Sequence, residues 1–282
     1  MKSFKLMAIP ALAFAMTLTA CRNNDDAPEK NNVTPEKNNV TLHFDNVVGN
    51  QALELGKTYT SNNQNITFNE VKYVISNISL VKADGTEVPY NIDNLDKGAT
   101  VVNLADAKTF DYILTDIPAG NYKEIKLGLG VKKELNTLLD QEKFPKFFKL
   151  TGKNETKMHW EWGTGYRFTK IEGKYDNNTE DFSIHTGSTR KNNNIKDPFV
   201  PGVDAFREVT LSLPSNAIVG TKAPKITIKA DFDKLLNGTN KITLSGNIPN
   251  VHNTNNMIPI VDNLGGDGKD NKTGMFSVGK VE

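Results

Sequence analysis

The sequence predicts an all-β protein: an antiparallel, Greek-key-like β-sandwich with short helices and long Asn-rich loops. Three observations carry that expectation. Apolar residues recur with period two in many short runs, which places them on one face of a strand. Turn-forming residues separate the runs. Stretches with a helical period are few and short.

The runs come in order along the chain. Leu42 and Phe44 alternate with Thr41, His43 and Asp45. Ile66 and Phe68 lead into Val71, Tyr73 and Ile75, then Ile78 and Leu80. The changes of parity there mark bulges or breaks between short strands. Ile125, Leu127 and Leu129 alternate cleanly, as do Val209, Leu211 and Leu213. Ile226, Ile228, Ala230 and Phe232 follow, then Ile242 and Leu244. Asp84-Gly85, Pro118-Ala119-Gly120, Asn237-Gly238 and Gly265-Gly266 are the turns between them. The best helical candidates are residues 134–143 and 233–236. No change of composition divides residues 42–282, which read as one domain with a long Asn-rich insertion near residues 173–206.

Residues 1–20 read as a signal peptide. Lys2 and Lys5 supply its positive start, an apolar run follows from Leu6 to Leu18, and Ala20 is the small residue before the cut. The run is too short for a membrane span. Residues 21–41 read as a flexible tether, in which the heptad at 28–34, PEKNNVT, is repeated at 35–41. Two copies of seven residues make a spacer, not a solenoid. Leu18-Thr19-Ala20-Cys21 resembles a bacterial lipobox. That resemblance implies cleavage before Cys21 and lipid on its sulfur. The chain would then be held at the cell envelope, on the periplasmic or the surface face of the outer membrane. Asp25-Asp26, just after it, resembles the surface-export signals of Bacteroidota lipoproteins.

Charge and cysteine count narrow the function classes. The formal charge is +1. Loss of Lys2 and Lys5 with the signal peptide turns it to −1. A nucleic-acid partner is not expected from such a balance. The one cysteine excludes an internal disulfide framework and a cysteine-cluster zinc site. If Cys21 is acylated, any metal in the domain has to be held by His, carboxylate, Met or a modified side chain. Leu127-Gly128-Leu129-Gly130 lacks the helix that a phosphate loop needs and reads as a strand end. Glu161 and Glu172 are the carboxylate pair a glycosidase would need, with no second feature to support it, so no enzymatic activity is expected.

The segment 158–168, MHWEWGTGYRF, holds both tryptophans and one of four histidines. A few residues later comes 182–189, FSIHTGST. On a strand, Trp160 and Trp162 share one face, and His159 and Glu161 the other. Phe182 and Ile184 face the core, which leaves Ser183 and His185 opposite. A metal would then gather His185 with the His159 face or with the tryptophan face, but hardly with both. Glu161, Glu172 and Asp181 are the candidate acceptors for the second ring nitrogen of a ligating imidazole. His43, on the polar face of the first strand, and His252, in a polar loop, are expected to be exposed.

The order of these motifs resembles the MbnP-like family of secreted or lipid-anchored copper-binding proteins, related to copper-repressible surface proteins of methanotrophs. Trp160-x-Trp162, Gly165-Tyr166, Phe168, Glu172-Gly173 and Phe182-x-x-His185-x-Gly187 carry the likeness. Leu42-x-Phe44, Tyr73-x-x-Ser76, residues 117–122 and residues 275–280 extend it along the chain. The resemblance implies a β-sandwich-like fold and a mononuclear copper site. The ligands would be imidazoles and, in some members, a kynurenine made from tryptophan by a dihaem, peroxidase-like partner. Carried over, His185 matches the family histidine. Trp160 and Trp162 match the tryptophan pair, either of which is the candidate for modification. His159 stands where relatives often have another aromatic residue. Four-cysteine relatives exist; this chain lacks those cysteines, and Arg190-Lys191 stands where such relatives run on toward one. The alternative is a surface lipoprotein without metal that binds a glycan or another envelope protein.

Overall fold

A computed structural model describes residues 36–282, apart from 137–142, 153, 161–164, 190, 192–199, 201, 247, 253–254 and 267–273. The signal peptide, Cys21 and most of the tether lie outside the described residues. The first strands are β1 (Lys37–Val48), β2 (Gln51–Ala52), β3 (Thr58–Ser61) and β4 (Gln64–Lys82). Next come β5 (Glu87–Tyr90), β6 (Thr100–Asn103), β7 (Asp111–Pro118) and β8 (Gly120–Leu129). The last six are β9 (Thr169–Tyr175), β10 (Glu180–Thr186), β11 (Arg207–Val219), β12 (Lys225–Asp231), β13 (Asn250–Val251) and β14 (Phe276–Val281). Short helices are α1 (Leu95–Gly98), α2 (Pro145–Thr151), α3 (Lys234–Asn237) and α4 (Ile258–Gly265).

One sheet runs β14-β12-β1-β2, with β7 also on β1. The other runs β11-β8-β4-β9-β10-β13, with β3, β5 and β6 on β4. The expected all-β sandwich is therefore present. Its pairings are mostly antiparallel, but β1 lies parallel to β12 and β10 parallel to β13. Strand β4 is the spine of the larger sheet. Its 19 residues pair with β9 from Ile66 to Tyr73 and with β8 from Ile75 to Lys82.

Apolar residues that alternate in sequence meet between the sheets. Phe44 and Phe276 of the smaller sheet and Phe232, just past β12, surround Tyr73 of the larger, with ring centroids 5.9–6.1 Å apart. Phe68 touches Phe232 at 6.2 Å in an edge-on arrangement that suits aromatic quadrupoles. The Tyr73 hydroxyl, fully buried, donates to Asn46 Oδ1 at 2.8 Å, which removes the cost of an unpaired polar group in the core.

Three expectations need correction. The ordered strand begins at Lys37, so five residues of the second heptad belong to β1 and not to the tether. Val40 is fully buried there, and burial fixes what composition alone reads as spacer. The Asn-rich insertion does not start at 173: residues 173–186 complete β9 and form β10. The turn between those strands has positive φ at Asp176, Asn177 and Asn178, a conformation Asn and Asp tolerate better than other side chains with a Cβ. Helix 233–236 is present as α3, shifted by one residue. Of 134–143, residues 134 and 135 belong to a turn, 137–142 lie outside the described residues, and the nearby helix is α2.

Asn263 of α4 ties the α3 turn to the core. It is fully buried, its Oδ1 accepts from Asn240 N at 2.8 Å, and its Nδ2 donates to Asn240 O at 2.7 Å. Asn263→Ala leaves those backbone groups without partners. It is expected to lower stability by about 2 kcal/mol, read from urea denaturation with an unchanged m-value.

Candidate functional site

Strand parity lays a polar row across the outer face of the larger sheet. Glu70 of β4 stands opposite Glu172 of β9, and Lys72 opposite Lys170. On β10, Ser183 stands opposite Glu172 and His185 opposite Lys170. Phe182 and Ile184 point the other way into the core, as the alternation requires. The parallel pairing of Ser183 with Asn250 and Ile184 with Val251 brings the next residue, His252, to the end of the row.

The row is hydrogen-bonded throughout. Lys72 pairs with Glu70, Glu70 with Lys170, and Lys170 Nζ lies 3.3 Å from Glu172 Oε1. The same Glu172 oxygen sits 2.7 Å from His185 Nε2. Ser183 Oγ lies 3.2 Å from His185 Nε2 and 3.1 Å from His252 Nε2. The two imidazoles stack, with centroids 4.6 Å apart and planes within 9°.

This face is not open to water. Lys72, Lys170 and His185 are only 8%, 7% and 6% exposed. The chain between α2 and β9 contributes to the cover. Thr156 O accepts from Lys72 Nζ at 3.0 Å, and the indole of Trp160 packs on His185 at 5.9 Å. Trp160 N donates to Gly165 O and Arg167 N to Met158 O, so this segment folds back on itself as a short hairpin. Phe168 N donates to Thr186 O, which pins the hairpin to the end of β10. Gly187 makes room for the tryptophan: a Cβ there would come within 3.0 Å of the indole nitrogen. The Arg167 guanidinium lies 4.5 Å over the Trp160 ring, a cation–π contact.

Burial sets the protonation states. It lowers the pKa of His185, against the Glu172 hydrogen bond, and lowers that of His252, with the neighbouring His185 acting in the same sense. Both rings are therefore neutral at neutral pH. Glu172 is held down to about 2, first by the His185 hydrogen bond and then by the Lys170 charge, so it is a carboxylate.

The sequence candidates divide. The structure brings His185 and Trp160 together. It seats His159 elsewhere, between the rings of Phe148 at 4.9 Å and Tyr166 at 5.3 Å. Among the described residues His159 Nε2 has no hydrogen-bond partner, and burial lowers its pKa. Trp162 and Glu161 lie outside the described residues. Of the candidate acceptors, Glu172 meets an imidazole, while Asp181 pairs with Lys174 at 2.7 Å. His43 pairs with Asp111 at 2.7 Å on the smaller sheet.

His252 is the residue that sequence reasoning missed. It is half-buried on His185, not exposed in a loop. A two-residue strand has no period to read, and Val251 alone was the available signal. Among the described residues no three His, Cys, Asp or Glu side chains converge as a ready-made metal cage.

The site and scaffold define a class: a β-sandwich carrying two stacked, neutral imidazoles, one of them held by a carboxylate, beside a buried tryptophan. The profile of the MbnP family matches residues 37–257. The chain belongs to that family. Among solved structures it is similar to MbnP from Methylosinus trichosporium, with a TM-score of 0.58 and 15% identity, over 86% of this chain and 99% of that one. At that identity the likeness is one of fold. No curated protein sequence matches the chain.

Proposed function

We propose that this protein is a lipid-anchored, copper-binding protein of the cell envelope and that the stacked pair His185 and His252 supplies its imidazole donors. The observation that carries the reading is that pair: two neutral rings, 4.6 Å apart, beside Trp160. Neutral imidazole is a good copper ligand, and no thiol of the folded domain competes. Copper bound here would offer a metal centre for storage, delivery or electron transfer, and the protein's part is to hold it.

The donor set fits the group in kind. His185 is fixed by Glu172 and leaves its other nitrogen for a ligand. Nearly parallel rings do not aim their lone pairs at one point, so one ring has to turn. That ring is His252, which is half-buried and held through Ser183, whereas His185 is locked. The third donor that the resemblance implies is a kynurenine from Trp160 or Trp162, made by a dihaem, peroxidase-like partner. Such a donor is neither imidazole nor carboxylate, so a site of this composition needs no third His, Asp or Glu. A glycan-binding role for Trp160 is disfavoured by its 1% exposure, which leaves no face for a sugar to stack on.

Metal analysis of the protein purified from copper-supplied native cells tests this reading. About one copper per chain is expected, with kynurenine found by mass spectrometry in the peptide spanning residues 160–168. Metal-free protein from such cells overturns it. The anchor is tested separately. Cys21→Ser is expected to move the protein from the membrane fraction to the soluble fraction. An unchanged membrane fraction rules out the lipid on Cys21.

A further inference from the structure

We propose that Glu172 is a positioning residue: it accepts the Nε2 proton of His185, fixes that ring in one tautomer, and leaves Nδ1 as its donor nitrogen. An ionised carboxylate can only accept. At 2.7 Å from His185 Nε2 it therefore requires a proton on that nitrogen. The ring is neutral because it is 6% exposed and lies face to face with a second imidazole, where a positive charge would be poorly solvated. One proton on Nε2 leaves Nδ1 with its lone pair free, and no described residue hydrogen-bonds to that atom.

What holds Glu172 is as informative as the bond itself. Behind it run Lys170, Glu70 and Lys72, with both lysines buried. Stripes of buried ion pairs add little to stability and are costly if one member is lost. Here the stripe serves geometry. Lys170 bridges Glu70 and Glu172, and the Lys72 ammonium is anchored in turn on Thr156 O. The ammonium groups keep Glu172 charged, and three paired strands keep it in register with His185. Ser183, on the same face as His185, lies close to both imidazoles and joins the second ring to this chain.

The assignment of the tautomer stands without any metal; its bearing on copper rests on the reading above. The test uses the full chain with 15N in histidine only, stripped of metal. In the native protein at neutral pH, His185 Nε2 should appear as a protonated, pyrrole-type nitrogen and Nδ1 as an unprotonated, pyridine-type one. The Nε2 proton should exchange slowly with water. Glu172→Gln keeps an acceptor oxygen but loses the charge, and exchange should become faster. Glu172→Ala should give the fastest exchange. A pyridine-type Nε2 in the native protein overturns the proposal, as does an exchange rate equal in all three proteins. If Glu172→Ala does not fold, the native protein and Glu172→Gln still decide the matter.

The copper arm is read independently. Glu172→Ala, with both histidines in place, should bind copper about 10–100-fold more weakly than the native protein, the range expected when an outer hydrogen-bond partner of a ligand is lost. Unchanged affinity overturns the positioning role. A native protein that shows the assigned tautomer but binds no copper would overturn the copper reading and leave the tautomer standing.

Discussion

Replacing His252 by alanine is expected to strip copper from the protein as fully as replacing His185 does. In the proposed site each ring is one of two imidazole donors, so its loss should cost more than the about 10–100-fold that removal of an outer partner costs. The two variants should leave the fold intact, because both rings lie on the outer face of the larger sheet and not among the aromatic residues between the sheets. His159→Ala is the contrasting case. His159 packs between Phe148 and Tyr166, so its loss opens a cavity there without touching the His185–His252 pair. It should lower stability by about 1 kcal/mol and leave copper content unchanged. Equal copper in the native protein and His252→Ala, or loss of copper in His159→Ala, would return the ligand set to the His159 face.

The second large effect is expected at Gly173. It stands between Phe68 of β4 and Phe182 of β10, its partners in register on either side. Having no side chain, it lets the two rings meet over it, edge to face at 6.2 Å. A Cβ on Gly173 would fall 2.0 Å from Thr67 O and 2.8 Å from the Phe182 ring. The ring can shift, but the Thr67 carbonyl belongs to the central ladder and cannot move without breaking it. Gly173→Ala is therefore expected to destabilise the protein by about 3 kcal/mol or more. That corresponds to a fall in Tm of about 6–12 °C for a domain of this size. The damage reaches the site as well, since Glu172 is the preceding residue. Thermal unfolding followed by circular dichroism checks this, and a Tm within about 2 °C of the native value would mean that β9 is not held as described.

The fold was largely legible because burial writes itself into period two. Leu42 and Phe44, Ile125 to Leu129, and Ile226 to Phe232 all lie in strands or at their ends with their apolar residues inside. Alternation says which face is buried but not which strand is the neighbour. The parallel pairing of β1 with β12, nearly two hundred residues away, was invisible for that reason. Helix α4 starts Ile258-Pro259-Ile260 and is eight residues long, too short for a helical period to stand out. The Asn residues at 177 and 178 looked like the start of a long loop; they make a tight turn whose positive φ values call for that side chain.

The site was legible in part for a similar reason. His185 and Trp160 both followed from motif order, but strand parity left open whether His185 meets the tryptophan face or the His159 face. Glu172 was one of three candidate acceptors, because sequence does not tell which carboxylate is in register with the histidine. Nothing in the sequence marks Lys170 and Lys72 as buried, whereas the segment folded over the sheet buries them. His252 depends on a two-residue parallel pairing between distant segments, which no local pattern signals.

The central claim is that His185 and His252 together hold copper. Electron paramagnetic resonance of the Cu(II)-loaded protein, with 15N in histidine only, tests it most directly. The account predicts nitrogen couplings from two histidine imidazoles in the native protein and in His159→Ala. It predicts one in His185→Ala or His252→Ala wherever copper can still be loaded. A native spectrum without histidine coupling, or one unchanged by loss of both His185 and His252, would contradict it.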